Sequence, residues 1–264
     1  MNSDDLSLNG QWRLTYDDGR TFPATVPGDI ILDLMRAGAV SDPNIRDNFR
    51  ECRELGEHTW SYEKNFSLRL HPGTRYTLWF DGLAYVAEIL VNGTPAGHHK
   101  SMHRPCRLDI SARLRDGENH LEVRLKPFDS GIRTTPLVDF HLTGWSDAIY
   151  DRELCRKRGA GRKADYTYGR DWAQGLPVCG IWRDCGLEIL RFARIRDPHI
   201  RAGLDSVVRC AFTLESVLTG VVDGALRLTV RHRGQVAAQM EVPVVLGPGC
   251  WEYEQTLRID NPAL

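Results

Sequence analysis

The chain is 264 residues long, 42% hydrophobic and 26% charged, with 34 Lys and Arg against 35 Asp and Glu. That is a globular composition with room for a real core, and a net charge of -1 speaks against a dedicated nucleic-acid binder, which carries a basic excess. No apolar run nears the roughly 18–20 residues that span a bilayer, and the polar opening at residues 1–5 lacks the basic and apolar regions of a secretory signal.

In chain order, the first predicted element is a short helix opened by Pro27-Gly28-Asp29, with Ile30, Ile31, Leu34 and Met35 at helical spacing and Gly38 as the stop. Pro27 suits a first turn and Asp29 the positive end of the helix dipole. The dominant period then becomes two. Trp60, Tyr62, Phe66 and Leu68 share one face of a half-buried strand, with Lys64 the polar member of that face. Residues 76–80 repeat the pattern. Residues 84–91 form a longer apolar run that ends in Asn92-Gly93, a hairpin signal because both turn positions need φ > 0. A second turn at residues 116–119 precedes alternating Leu121, Val123 and Leu125. Residues 145–163 have no period, carry six basic residues between Arg152 and Lys163, and read as a long loop with at most one helical turn. Residues 185–190 read as a further strand.

Near residues 194–198 the texture changes: six of the seven tryptophans lie before it, and lighter alternating strands follow at 207–214, 225–230, 236–245 and 251–259. Many short strands with Gly and Pro punctuation predict an all-β chain. A jelly-roll β-sandwich is expected over residues 1–194, followed at 195–264 by an immunoglobulin-like β-sandwich. Four or five strands fit in the latter where about seven are needed, so this second domain is expected to be incomplete, and either less stable than the first or completed by pairing with another chain.

Seven cysteines, an odd number without any Cys-x-x-Cys pair, predict reduced and mostly buried thiols in a cytoplasmic protein rather than a disulfide framework or zinc set. Residues 159–163 lack Walker spacing, and residues 144–148 fail as a nucleophile elbow at the last position. His98, His99 and His103 read as exposed loop histidines, and the basic cluster at 152–163 as a solvated loop. No metal site and no cofactor are expected. The most distinctive stretch is 162–183, where Tyr166, Tyr168, Trp172 and Trp182 are interspersed with glycines around Asp171. Aromatic faces stack on the C–H faces of sugars and a carboxylate accepts bonds from hydroxyls. Tyr166, Tyr168 and Trp182 read as core aromatics of the sandwich, and Asp171, flanked by Arg170 and Trp172, as a functional group.

With these residues in view, the chain resembles the N-terminal region of a β-mannosidase of the glycoside hydrolase family 2 type. The match is carried by Leu8-Asn9-Gly10-Gln11-Trp12, by residues 24–28 leading to Asp33-Leu34 and on to Asp42-Pro43, by Trp60-Ser61-Tyr62 with Phe66, by residues 80–84 leading to Val91-Asn92-Gly93, and by Arg162-Lys163-Ala164 leading to Gly180-Ile181-Trp182. The resemblance implies a sugar-binding jelly roll followed by an immunoglobulin-like domain. It also implies a catalytic (β/α)₈ barrel beyond them, which would carry the acid/base and nucleophile Glu residues of a retaining mechanism. The chain has no Asn-Glu dipeptide and no length left for a barrel, so no catalytic residue is expected here and the barrel is the implied partner.

The family's Trp-Asp loop reaches the barrel's terminal sugar. In this chain the corresponding stretch is Gly169-Arg170-Asp171-Trp172-Ala173-Gln174, in which Asp171 and Trp172 match while Arg170 replaces a Trp. The implied substrate-binding residues are therefore Asp171, Trp172 and Arg170, and the implied ligand is a terminal β-linked sugar, a mannoside. Two rival readings remain. One is a free-standing carbohydrate-binding or structural docking module. The other is a different family 2 activity such as β-galactosidase or β-glucuronidase.

Overall fold

The computed structural model describes residues 5–127, 130, 161–169 and 174–259. Every ladder in it is antiparallel, and the chain divides into two compact units, residues 1–70 with 76–189 and residues 71–75 with 190–264.

The first unit is the jelly-roll sandwich. One sheet has six strands in the order β3 (Thr21–Val26), β2 (Gly10–Tyr16), β4 (Trp60–Leu68), β9 (Gly117–Leu125), β6 (Val86–Val91) and β7 (Thr94–Lys100). The other has four, in the order β1 (Leu6–Ser7), β10 (Cys185–Leu190), β5 (Arg75–Phe80) and β8 (Cys106–Asp109). Alternation decides the register: Trp60, Tyr62 and Phe66 from β4, Leu121, Val123 and Leu125 from β9, and Ile89 and Val91 from β6 all enter one core with Leu78 and Phe80 of β5. Pro23 sits on β3, an edge strand, where its missing N–H costs no ladder bond. Asn92 and Gly93, at φ 52° and 75°, close the β6–β7 hairpin as expected. Lys64 keeps its place on the inward face by donating to the Gln11 carbonyl at 2.8 Å and lying over the Trp12 ring.

Helix α1 spans Ile30–Arg36. Asp29 is its cap, accepting from the Ile31 amide at 2.9 Å, and Gly38 at φ 70° ends it. Pro27 is not in the first turn: it follows a cis Val26–Pro27 bond and precedes the cap. A second helix, α2 (Phe49–Glu54), escapes sequence reading because only Cys52 of its six residues is buried. His98 and His99 are not loop residues but belong to β7, and His99 is buried against the Ser101 carbonyl at 2.6 Å.

The second unit carries immunoglobulin-like sheets. Strands β11 (Ala193–Ala202), β12 (Val207–Ser216) and β15 (Gly249–Arg258) form one, and β13 (Val222–His232) pairs with β14 (Gln235–Leu246) in the other. Phe212, Leu226 and Val244 make its core, with Tyr253 stacked on Phe212 at 5.8 Å between ring centres. β11 prints no strand signal on the sequence, since most of its residues are exposed and no alternation shows. Among the described residues Cys52, Cys106, Cys179 and Cys185 are buried free thiols, Cys210 is half-buried and Cys250 exposed. No helix among the described residues is long and apolar enough to cross a membrane.

Candidate functional site

The distinctive stretch is anchored at both ends within the first unit. On the ascending side, the Met102 amide donates to the Arg162 carbonyl at 2.7 Å, and Ala164 packs with Ala84, Tyr85 and Met102. A 3-10 turn at Asp165–Tyr168 follows, tightened by the Thr167 hydroxyl on the Ala164 carbonyl at 2.7 Å, and Gly169 leaves it at φ 91°. On the descending side, a Cβ on Gly175 would stand 2.5 Å from the Tyr168 carbonyl oxygen. The backbones on the two sides of residues 170–174 thus touch, which only glycine permits. Arg53 of α2 adds a bond from Nε to the Gly175 carbonyl at 3.2 Å. Arg170, Asp171 and Trp172 themselves, like most of the 145–163 loop, lie outside the described residues.

Beyond Gly175 the chain locks onto the start of α1. Gly28 donates to the Ile181 carbonyl and Ile30 to the Cys179 carbonyl, both at 2.9 Å, while the Cys179 amide donates to the Asp29 carboxylate at 2.8 Å and Ala84 to the Gly180 carbonyl at 3.0 Å. Gly180 lies so close to the Gly28 carbonyl that a Cβ there would be 2.4 Å away. Three segments far apart in sequence, at 27–30, 84–85 and 178–182, are therefore joined by this stretch.

Two of these segments, at 84–85 and 178–179, help wall a cavity of about 400 Å³ lined also by Arg53, Glu57, Lys126, Lys163 and Tyr168. Such a volume suits a sugar-sized ligand. The Lys163 ammonium lies 5.8 Å from the centre of the Tyr168 ring. Burial lowers the Lys163 pKa, against the pull of the Cys179 thiol and the Asp29 carboxylate. Burial raises the Asp29 pKa to about 6, opposed by the Cys179 and Ile31 amides and by Lys163. It pushes the Cys179 thiol up to about 12, so this sulfur is no nucleophile. Below them the Tyr62 hydroxyl donates to Asp33 at 3.3 Å, and burial holds the Asp33 pKa up.

Of the three aromatics read as core, Tyr166 is 69% exposed, a correction: the 3-10 turn, a structure without strand alternation, aims it outward. Trp182 is partly buried against the Ala84–Tyr85–Met102 cluster with Arg183 over its ring at 4.2 Å, and Gly82 presses on the indole. Asp29, Arg53 and Lys163 had been given no site role by sequence. The signal for Asp29 was spent on its capping place, and its second bond reaches a residue 150 positions away.

The sequence matches the description "glycosyl hydrolase 2 galactose-binding domain-like" over residues 12–183. The chain belongs to this family. Its family region includes both the α1 start and the clamped stretch just described. β-Mannosidase B of Thermothelomyces thermophilus is 30% identical, aligned over 98% of this chain and 30% of its own length. The β-mannosidase of Bos taurus is 28% identical over 74% of this chain and 24% of its own length. The crystal structure of a β-D-mannosidase from Dictyoglomus thermophilum superposes with a TM-score of 0.84 at 26% identity, covering 98% of this chain and 31% of that one. An exo-chitosanase of Amycolatopsis orientalis shares the fold at a TM-score of 0.68 and 15% identity. The chain thus spans less than a third of the length of these relatives and corresponds to the N-terminal region of β-mannosidase-like family members.

Proposed function

We propose that this chain is the non-catalytic N-terminal portion of a retaining exo-β-mannosidase-like glycoside hydrolase, and that its 170–172 loop contributes to recognition of the terminal sugar. The observation that carries the reading is the closed base of that loop, where Tyr168 and Gly175 meet, inside a family region whose relatives are β-mannosidases. The segment between Gly169 and Gly175 is pinched at its base, and its descending side is tied through Arg53 and Cys179, so it starts and ends at fixed points, which is what a residue serving a neighbouring pocket requires. In that role Asp171 accepts hydrogen bonds from sugar hydroxyls, Trp172 offers an apolar face, and Arg170 adds a cation where the family pattern has an aromatic ring. The two glutamates of the retaining mechanism belong to a barrel outside this chain. A cytoplasmic location is supported by the free state of the six described cysteines.

Two measurements test this. The purified chain is expected to leave 4-nitrophenyl β-mannoside intact; turnover by it, with contaminants excluded, overturns the non-catalytic assignment. In a chimera carrying this chain in place of the matching region of the Dictyoglomus enzyme, Asp171→Ala is expected to lower kcat/KM by about 10- to 100-fold, the loss of one charge-assisted bond. Unchanged kcat/KM removes Asp171 from the site.

A further inference from the structure

The descending side of the recognition loop is bonded to the cap of α1. Cys179, on the descending side, donates its amide to Asp29 Oδ2 at 2.8 Å. Lys163, on the ascending side, is near enough to the same carboxylate to lower its pKa. The other oxygen, Oδ1, takes the Ile31 amide at 2.9 Å and so belongs to the helix. We propose that Asp29 is a positioning residue for the recognition loop: one carboxylate ties the descending side of the loop, at Cys179, to the start of α1. The proposal rests on the sugar-recognition reading for its purpose, though not for its geometry.

The carboxylate is needed, not only an N-cap. Asn caps a helix about as well as Asp, but an amide side chain has one acceptor oxygen. In Asp29→Asn, Oδ1 still serves Ile31, while the NH₂ group confronts the Cys179 amide, donor against donor. Protonation makes the same change reversibly, because one oxygen becomes a hydroxyl. The titratable groups near enough to act electrostatically on Asp29 are Lys163 and Cys179 from the clamped stretch, Asp33 from α1, Tyr62 from β4 and Cys52 from α2. Burial keeps both thiols and the phenol neutral across the working range, so Lys163 and Asp33 set the local field.

The test uses the full chain, labelled with ¹⁵N. In the wild type the Cys179 amide is expected to exchange slowly at neutral pH and its resonance to titrate with a midpoint near 6. In Asp29→Asn the Cys179 amide is expected to exchange about 10- to 100-fold faster, the loss of a bond to a charged acceptor, and the titration to vanish. The Ile31 amide is to stay protected, which shows that the helix and its cap survive. Lys163→Met is expected to raise the midpoint by removing the cation. Equal protection of Cys179 in wild type and Asp29→Asn, or loss of Ile31 and Cys179 protection together, overturns the proposal. In the chimera, Asp29→Asn is expected to lower kcat/KM chiefly through KM, and to add nothing once Asp171→Ala is present. A full further loss in that background means Asp29 acts elsewhere. The exchange arm needs no sugar, so a failure of the recognition reading leaves it standing and is told apart from a failure of the clamp.

Discussion

Gly180→Ala probes the crossing that joins the 178–182 segment to the start of α1. A Cβ at this position would lie 2.4 Å from the Gly28 carbonyl oxygen and 2.8 Å from the Asp29 Cα, both backbone atoms that no rotamer change can move. A comfortable carbon–oxygen approach is about 3.3 Å, so the segments must part by roughly 0.9 Å. The bonds from Gly28 to Ile181 and from Ile30 to Cys179, each 2.9 Å, then stretch past the useful range, as does the one from Cys179 to Asp29. Two neutral bonds at about 1 kcal/mol and one to a carboxylate at about 2 kcal/mol, less about 0.5 kcal/mol for the stiffer unfolded chain, leave a loss near 3.5 kcal/mol. At about 2–4 °C per kcal/mol for a unit of this size, Tm falls by about 10 °C. Near-UV circular dichroism on heating reads this through the tryptophans of the first unit. Gly220→Ala, with no atom within 4 Å and an ordinary φ, is the control and is expected to melt like wild type. A Gly180→Ala chain melting within about 2 °C of wild type refutes the close-approach argument.

Three further outcomes are expected. Because burial raises the Asp29 pKa from 3.8 to about 6, the folded chain binds this proton more tightly than the unfolded one. The contribution is complete below about pH 3.8 and is lost as pH rises through about 6, so wild type should gain about 2–3 kcal/mol over Asp29→Asn between pH 7.5 and 4; parallel urea curves for the two chains would contradict this. Glu215→Gln strips the buried carboxylate that pairs with Arg75, Arg194 and Arg196. It should cost the second unit about 2–4 kcal/mol, seen in urea through Trp251, the tryptophan of that unit, and an unshifted midpoint counts against a structural role. In a Cys155→Ser background, a thiol reagent should label Cys250 quickly and Cys210 slowly. Cys106, Cys179 and Cys185, their thiols raised by burial to about 11, 12 and 12, should stay unlabelled until denaturant is added, and rapid labelling of four or more sites would show that the core is open.

Strands β4, β5, β6, β9 and β10 were legible because they bury apolar side chains, and a period of two survives where a core enforces it, as Trp60, Tyr62 and Phe66 show; β3, β7 and β8 were not. The Asn92-Gly93 turn was legible because its chemistry is local. β11 was not, since a strand exposed on most of its length has no apolar face to print on the sequence. Nor was α2, whose single buried residue makes no period. His99 looked like a loop residue because no neighbour-level rule foretells that a carbonyl two positions on will take its ring. At the site, the glycines around position 171 announced a constrained loop, but the reason for Gly175 and Gly180 is contact with Tyr168 and Gly28, which only the folded chain supplies.

Asn92 has a chemical consequence. An Asn followed by Gly is the pair most prone to lose ammonia, because the next backbone nitrogen can attack the side-chain carbon. Here that side chain is gripped at both ends: its nitrogen donates to the Arg113 carbonyl and the Asn119 Oδ1, each at 2.9 Å, and its oxygen accepts from the His120 amide at 2.9 Å. The attack therefore waits for the β6–β7 hairpin to come undone. Acid accumulating at position 92 in an aged sample, counted by peptide mass mapping, becomes a clock for how often that corner has opened.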